Sequence, residues 1–351
     1  MIDFQAQPLP LNFAVMAAAG FVVWMAGTRL SRYASVISDR TGIGQAVMGM
    51  LLLAAVSSLP EIAIVITAAL DDVAPLAVNN LLGGAALQIT LLALADVTLD
   101  RSALTHVVAK PSVLLQGALA ILMLALVVAA VLIGDHSVLG IGLWSWGILA
   151  IYLSATWTIA RARDAWTAET PDAAPTADLD TGEGAPGAPR EDETMSLATV
   201  LWRTALAAAV ILLAGYLLAR TGDAIAEQTP LGASFVGAVL LAFCTSLPEI
   251  STVYAAVKLR RYVMAVSEIF GTAMFNIALI FLVDAVYGGG PVLSEAGKFS
   301  GFAALLVIAL YAIYMVGLIE RRNRTFLRMG IDSLTALLFY FGGLAVLYQL
   351  R

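Results

Sequence analysis

A five-residue motif, Ser57-Ser58-Leu59-Pro60-Glu61, returns as Thr245-Ser246-Leu247-Pro248-Glu249, each time inside an apolar run long enough to cross a bilayer. Each copy sets a helix breaker, two hydroxyls and a carboxylate where hydrocarbon is expected. A carboxylate at the centre of a bilayer costs about 3 kcal/mol even on lenient scales. A chain that carries that cost twice, in matching surroundings, has a use for both groups, and holding a cation suits their charge.

The rest of the chain is equally apolar. Of 351 residues, 60% are hydrophobic and 13% charged, and mean hydropathy is +0.90, against about 25% charged residues in a soluble domain. Ten apolar spans can be drawn, at about 11–28, 43–69, 75–95, 110–133, 138–160, 197–219, 231–257, 263–283, 299–319 and 331–349. With the N-terminus outside, the inner loops collect 16 of the 19 basic residues, and the outer side receives Arg220, Lys298 and Arg351. Such a split follows the positive-inside rule and supports both the count and the orientation. The expected protein is therefore all-α, integral to the cell (inner) membrane and multi-pass, with both termini extracellular or periplasmic.

The single Cys244 excludes an internal disulfide framework and a cysteine-based metal cluster. His106 and His136 both fall in predicted loops, so a histidine-ligated transition metal inside the membrane is not expected. The N-terminus has no basic segment before its first apolar run, so no cleavable signal peptide is expected. Residues 162–196 are rich in Ala, Pro, Asp, Glu and Gly, with almost no large apolar side chain. That composition cannot bury enough surface to fold alone and is read as a cytoplasmic linker between two five-span halves, 1–161 and 197–351.

Those halves are repeats. The offset in numbering that carries Glu61 onto Glu249 also aligns Gly49 with Gly237, Ala54 with Ala242, Gly83 with Gly271, Gln88 with Asn276 and Asp96 with Asp284. The span holding the first motif runs inside to outside and its counterpart outside to inside, so the expected architecture is ten transmembrane helices as two inverted five-helix repeats. Secondary transporters are built this way, with the site near the midplane where the repeats meet.

The motif chemistry agrees. Ser57 and Ser58 lie four and three residues before Glu61, so both hydroxyls can share the face of the carboxylate on a helix. Pro60 and Pro248 lack an N–H and free the carbonyls of Val56 and Cys244. Carboxylates, hydroxyls and free carbonyls are hard oxygen ligands suited to Ca²⁺ or Na⁺. Gln88 and Asn276 add amide oxygens at matched positions, although such amides also serve as inter-helix hydrogen bonds. The motif hydroxyls could equally bond back to their own helix carbonyls. Asp96 and Asp284, at span ends, are read as interfacial.

These residues resemble the two α-repeats of the sodium/calcium exchanger family, within the cation/calcium exchanger superfamily. The family pattern is a Gly-Thr-Ser-Leu-Pro-Glu stretch followed by Gly-Asn...Gly-Ser-Asn-x-x-Asn/Asp on the next helix, and the resemblance covers about 43–96 and 231–284. It implies that Glu61 and Glu249 share Ca²⁺ and Na⁺. It further implies that Ser57 and Thr245 contribute hydroxyl and backbone oxygens, and Ala54 and Ala242 sodium-binding carbonyls. Ser58, Ser246, Gln88, Asn276 and Thr272 would occupy further polar positions. It also implies that the first span of each half slides past a rigid core.

Several positions depart from the pattern. The family Ser is Gly84 in the first repeat, the following Asn is Ala85 and Ala273, and the Asn/Asp is the longer Gln88. The Asn of the Gly-Asn pair survives as Asn80 but is Glu268 in the second repeat. Sodium-coordinating oxygens are thereby lost and a carboxylate gained.

The expected function is a secondary antiporter exchanging Ca²⁺ for Na⁺. The alternative is a Ca²⁺(cation)/H⁺ exchanger using Glu268 or a site Glu as proton carrier. A channel is disfavoured by one central site in inverted repeats, and the spans hold no constellation expected of an enzyme. No cofactor, nucleic acid or obligatory protein partner is implied; the partners are the lipid bilayer and the transported cations, Ca²⁺ with Na⁺ or H⁺.

Overall fold

The computed structural model describes residues 3–41, 57–97, 104–108, 111–166, 195–258, 262–320, 325–326 and 329–351. The described chain is helical apart from two tiny hairpins. In order it forms α1 (Leu9–Thr41), α2 (Leu59–Leu70), α3 (Ala74–Asp96), the single turn α4 (Leu104–Val107) and α5 (Pro111–Ile133). The hairpin β1–β2 (Ser137–Val138, Ile141–Gly142) leads into α6 (Leu143–Trp166). The second half contains α7 (Leu197–Gln228), α8 (Gly232–Thr245), α9 (Leu247–Lys258), α10 (Tyr262–Ala278), α11 (Ile280–Val286), the turn α12 (Val292–Glu295) and α13 (Lys298–Glu320). The hairpin β3–β4 (Thr325–Phe326, Met329–Gly330) precedes α14 (Ile331–Leu350).

Local chemistry sets several of these boundaries. Pro75 falls in the first turn of α3 and Pro111 opens α5, where a missing N–H costs no hydrogen bond. The Ser196 hydroxyl caps α7 by accepting from Thr199 N at 3.2 Å. Inside α8, Val236–Leu241 is wound as a π-helix, a distortion that concentrates at functional positions.

Among the described residues, seven helices are long and apolar enough to cross a membrane, and α8 with α9 makes an eighth crossing bent by 44°. Two shorter apolar helices, α2 and Leu143–Ile159 within α6, occupy the second and fifth expected spans. The protein is an all-α membrane protein. Its layers are distinguished by burial: the apolar window of α3 is 100% buried and that of α10–α11 72%, against 33% for α1 and 17% for α7. Thus α3 and α10 run through the centre, braced by α5 and α13, while α1 and α7 pair with each other along the outside.

The repeat offset seen in the sequence holds in three dimensions. The register Ser137↔Gly142 and Val138↔Ile141 of the first hairpin is repeated as Thr325↔Gly330 and Phe326↔Met329. The turn α12 starts at Val292, the repeat equivalent of Leu104, where α4 starts. Gly27 of α1 lies on Pro248, and its repeat equivalent, Gly215 of α7, lies on Pro60 and Ala63. Each outer helix therefore packs on the motif of the opposite half.

The tightest crossing is between α3 and the π segment, where a Cβ on Gly83 would lie 2.0 Å from Ala238 O. At Gly84 the nearest neighbour would be Asn276 Nδ2 at 3.5 Å, an ordinary contact. Gly83→Ala is therefore expected to destabilise by about 2 kcal/mol or more, since backbone cannot move aside. Gly84→Ala is expected to be neutral or slightly stabilising because Ala favours helix. Thermal melts of the two variants in detergent check this.

Candidate functional site

Both motifs break the helix at the same place. Ser58 (φ −90°, ψ 14°) and Ser246 (φ −82°, ψ 3°) leave the helical region together. New helices then begin at Leu59 and Leu247, with the proline as second residue and the glutamate in the first turn. Matched bonds, Ile62 N to Ser58 O at 2.9 Å and Ile250 N to Ser246 O at 3.2 Å, restart the ladder. Pro thus places each glutamate at a helix N-terminus, where the peptide dipoles offset part of the cost of a buried carboxylate.

Burial of the two acids is complete: Glu61 is 0% exposed and Glu249 1%. Among the described residues, none of their four carboxylate oxygens has a hydrogen-bond partner. The Thr245 hydroxyl lies beside the Glu61 carboxylate and also reaches Ala242 O at 3.3 Å. Glu249 lies within electrostatic reach of Glu61 and of Glu268. Two buried carboxylates within electrostatic reach of each other are strongly unfavourable unless a proton or a cation joins them.

A polar bridge crosses the same region. Ser58 Oγ and Asn276 Oδ1 are 3.4 Å apart, and Asn276 Nδ2 lies 3.4 Å from Gln88 Oε1. These long contacts join α3, α10 and the first motif, so Gln88 and Asn276 meet across the pseudo-two-fold. Ser246 Oγ and Gln88 Nε2 are buried without partners among the described residues.

The remaining expected residues are placed as follows. Ser57 is buried at the break. Ala54 lies outside the described residues. The Ala242 carbonyl accepts from both Thr245 Oγ1 and Ser246 N, the latter at 3.1 Å. Thr272 is buried, its hydroxyl donating back to Glu268 O at 2.9 Å. Glu268 is half-buried on α10 beside Thr252 of α9, whose hydroxyl donates to Glu249 O at 3.1 Å. Arg260 and Arg261, close to it in sequence, lie outside the described residues. Asn80 is fully buried, with both polar side-chain atoms unpartnered among the described residues, and its backbone N lies against Gly237 of the π segment.

Two features escaped the sequence. The π segment has no residue signature in its run Val236-Gly-Ala-Val-Leu-Leu241. Asp96 and Asp284, read as interfacial, do lie at or near helix ends, where they are 0% and 1% exposed and each accepts two backbone N–H groups. Their matched offset was visible, but one donor to each comes from a segment remote in sequence.

Comparisons with known proteins bear on this geometry. The chain is 26% identical over 303 residues to the inner membrane protein YrbG of Escherichia coli (strain K12), covering 86% of this chain and 88% of that protein. Its fold is similar to that of the sodium-calcium exchanger NCX_Mj, with a TM-score of 0.61, 14% identity and coverage of 96% and 99%. It is also similar to the H⁺/Ca²⁺ exchanger CAX, with a TM-score of 0.64, 13% identity and coverage of 96% and 88%. YfkE matches with a TM-score of 0.64 over 99% of this chain and 98% of that one, at 13% identity. The family model described as sodium/calcium exchanger protein matches residues 11–159 and 199–349, nearly the whole of both repeats. The chain is a member of the sodium/calcium exchanger protein family, a family of membrane transporters.

Proposed function

We propose that this protein exchanges Ca²⁺ for Na⁺ across the membrane at one site shared by Glu61 and Glu249. The observation that carries this reading is the set of four buried carboxylate oxygens without a donor among the described residues. One divalent ion balances two carboxylates, and hard oxygen ligands suit Ca²⁺. Thr245, by turning from Ala242 to the ion, would release its own hydroxyl and one acceptor position of that carbonyl together. Ser58, Gln88 and Asn276 supply the remaining oxygens within the same polar bridge.

Exchange follows from electrostatics. With Ca²⁺ or Na⁺ bound, the acids are compensated and the outer helices can move over the motifs. With nothing bound, two uncompensated carboxylates disfavour the crossing. Because α1 lies on the second motif and α7 on the first, each outer helix is placed to sense the charge state of the site. The excess of basic residues on one side supports termini on the periplasmic side and a cytoplasmic linker.

Calcium uptake into proteoliposomes is expected to require an outward sodium gradient. Uptake should be lost in Glu61→Gln and Glu249→Gln by about 100-fold or more, as when one half of a compensated buried charge set is removed. Sodium-dependent uptake retained by either variant at normal expression would exclude the shared site. In cation-free neutral buffer both Gln variants are expected to melt above the parent, by about 1–3 kcal/mol of relieved burial, and to lose any stabilisation by Ca²⁺.

A second reading is proton coupling, favoured by Glu268. This carboxylate stands where the family pattern has Asn, within electrostatic reach of Glu249, while Gly84, Ala85 and Ala273 thin the sodium ligands. Under sodium coupling, Glu268→Gln keeps gradient-driven uptake and Gly84→Ser, which restores a hydroxyl beside Asn276, strengthens it. Under proton coupling, uptake follows an outward proton gradient and Glu268→Gln abolishes it.

A further inference from the structure

At opposite ends of the core, two buried aspartates make the same set of bonds. Asp96 closes α3; its Oδ1 accepts from Leu104 N and its Oδ2 from Gly330 N, both at 2.6 Å. Asp284 lies near the end of α11; its Oδ1 accepts from Val292 N at 2.9 Å and its Oδ2 from Gly142 N at 2.8 Å. All three positions obey the repeat: the offset that carries Glu61 onto Glu249 pairs Asp96 with Asp284, Leu104 with Val292, and Gly142 with Gly330.

The pattern crosses between halves. One oxygen of each aspartate holds the start of the next turn in its own half, α4 or α12. The other holds the last residue of the hairpin in the opposite half, just before α14 or α6 begins. Nothing in helix preference explains acids there, because a carboxylate at a helix C-terminus opposes the dipole. Charge-assisted bonds to two backbone amides at helix starts offset that cost and the cost of burial.

The aspartates also follow the site along the central spans. Gln88 lies eight residues before Asp96 on α3, a rise of about 12 Å along a helix; Asn276, on α10, lies eight residues before Asp284 on α11, which follows directly after Leu279. Those two amides meet with a spacing of 3.4 Å, so a small slip of either helix breaks the bridge.

We propose that Asp96 and Asp284 are positioning residues: reciprocal latches, each tying its own repeat to the hairpin of the other, that keep Gln88 and Asn276 in register with the two glutamates. The latch itself stands on the hydrogen bonds; its effect on ion affinity rests on the cation-site reading above.

Hydrogen exchange on the protein in nanodiscs tests it, with Asp96→Ala, Asp284→Ala and a core control, Leu124→Ala. Asp96→Ala, which removes both acceptor oxygens, is expected to speed exchange about tenfold at Leu104 and at Gly330 together, leaving Val292 and Gly142 unchanged; Asp284→Ala does the converse. Calcium titrations should show each Asp→Ala variant weakening affinity several-fold more than Leu124→Ala at matched melting temperature. Faster exchange at Leu104 without Gly330, or affinity no weaker than in the control, overturns the proposal. If the two amide pairs respond as expected and the parent binds no calcium, the latch stands and the reading of the site falls.

Discussion

The structure depends on the burial of two carboxylates within electrostatic reach of each other. Glu61 and Glu249 are buried as completely as the leucines around them, and every one of their oxygens is unpartnered among the described residues. In a soluble core such an arrangement would be removed by mutation, since replacing buried charge by apolar groups is commonly neutral or stabilising. Its presence twice, at matched helix starts, is what the proposed shared cation site would use. The surrounding architecture serves that demand: prolines start the helices, hydroxyls flank them, and two central helices bring amides to the same place.

Inverted duplication supplies the geometry. The packing of Gly27 on Pro248 is matched by that of Gly215 on Pro60, the first hairpin by the second, and Asp96 by Asp284. In each case a contact in one half has its counterpart in the other, so the site is approached equivalently from both ends. An alternating-access transporter needs this equivalence, because its one site must be offered to either side of the membrane. The outer position of α1 and α7, with most of their surface left to lipid, separates them from the buried core of α3 and α10.

Much of this was legible in the sequence because the features are local and repeated. Span lengths follow from hydropathy, and the repeat offset follows from aligning one motif on the other. Ser58, Asn276 and Gln88 lie in one chain of contacts, and Glu61 lies within electrostatic reach of Glu249. The helix starts at Leu59 and Leu247 follow from Pro60 and Pro248. What escaped is what backbone amides do. The donors to Asp96 and Asp284 are Leu104, Gly330, Val292 and Gly142, whose side chains announce nothing, and two of the four lie 234 and 142 residues from their acceptor. The π winding of Val236–Leu241 is likewise a backbone event, located where Gly83 of α3 lies against Ala238. Thr245 and Thr272 show a third limit: a hydroxyl that could face an ion can equally bond its own helix, and only the fold distinguishes the two.

The most direct test of a single shared site is the stoichiometry of equilibrium ⁴⁵Ca²⁺ binding to the purified protein, with and without sodium, in the parent, Glu61→Gln and Glu249→Gln. A shared site predicts one sodium-displaceable calcium per chain, lost entirely in either single variant. Two calcium ions per chain, with one surviving each substitution, would mean that the carboxylates act separately and would contradict it.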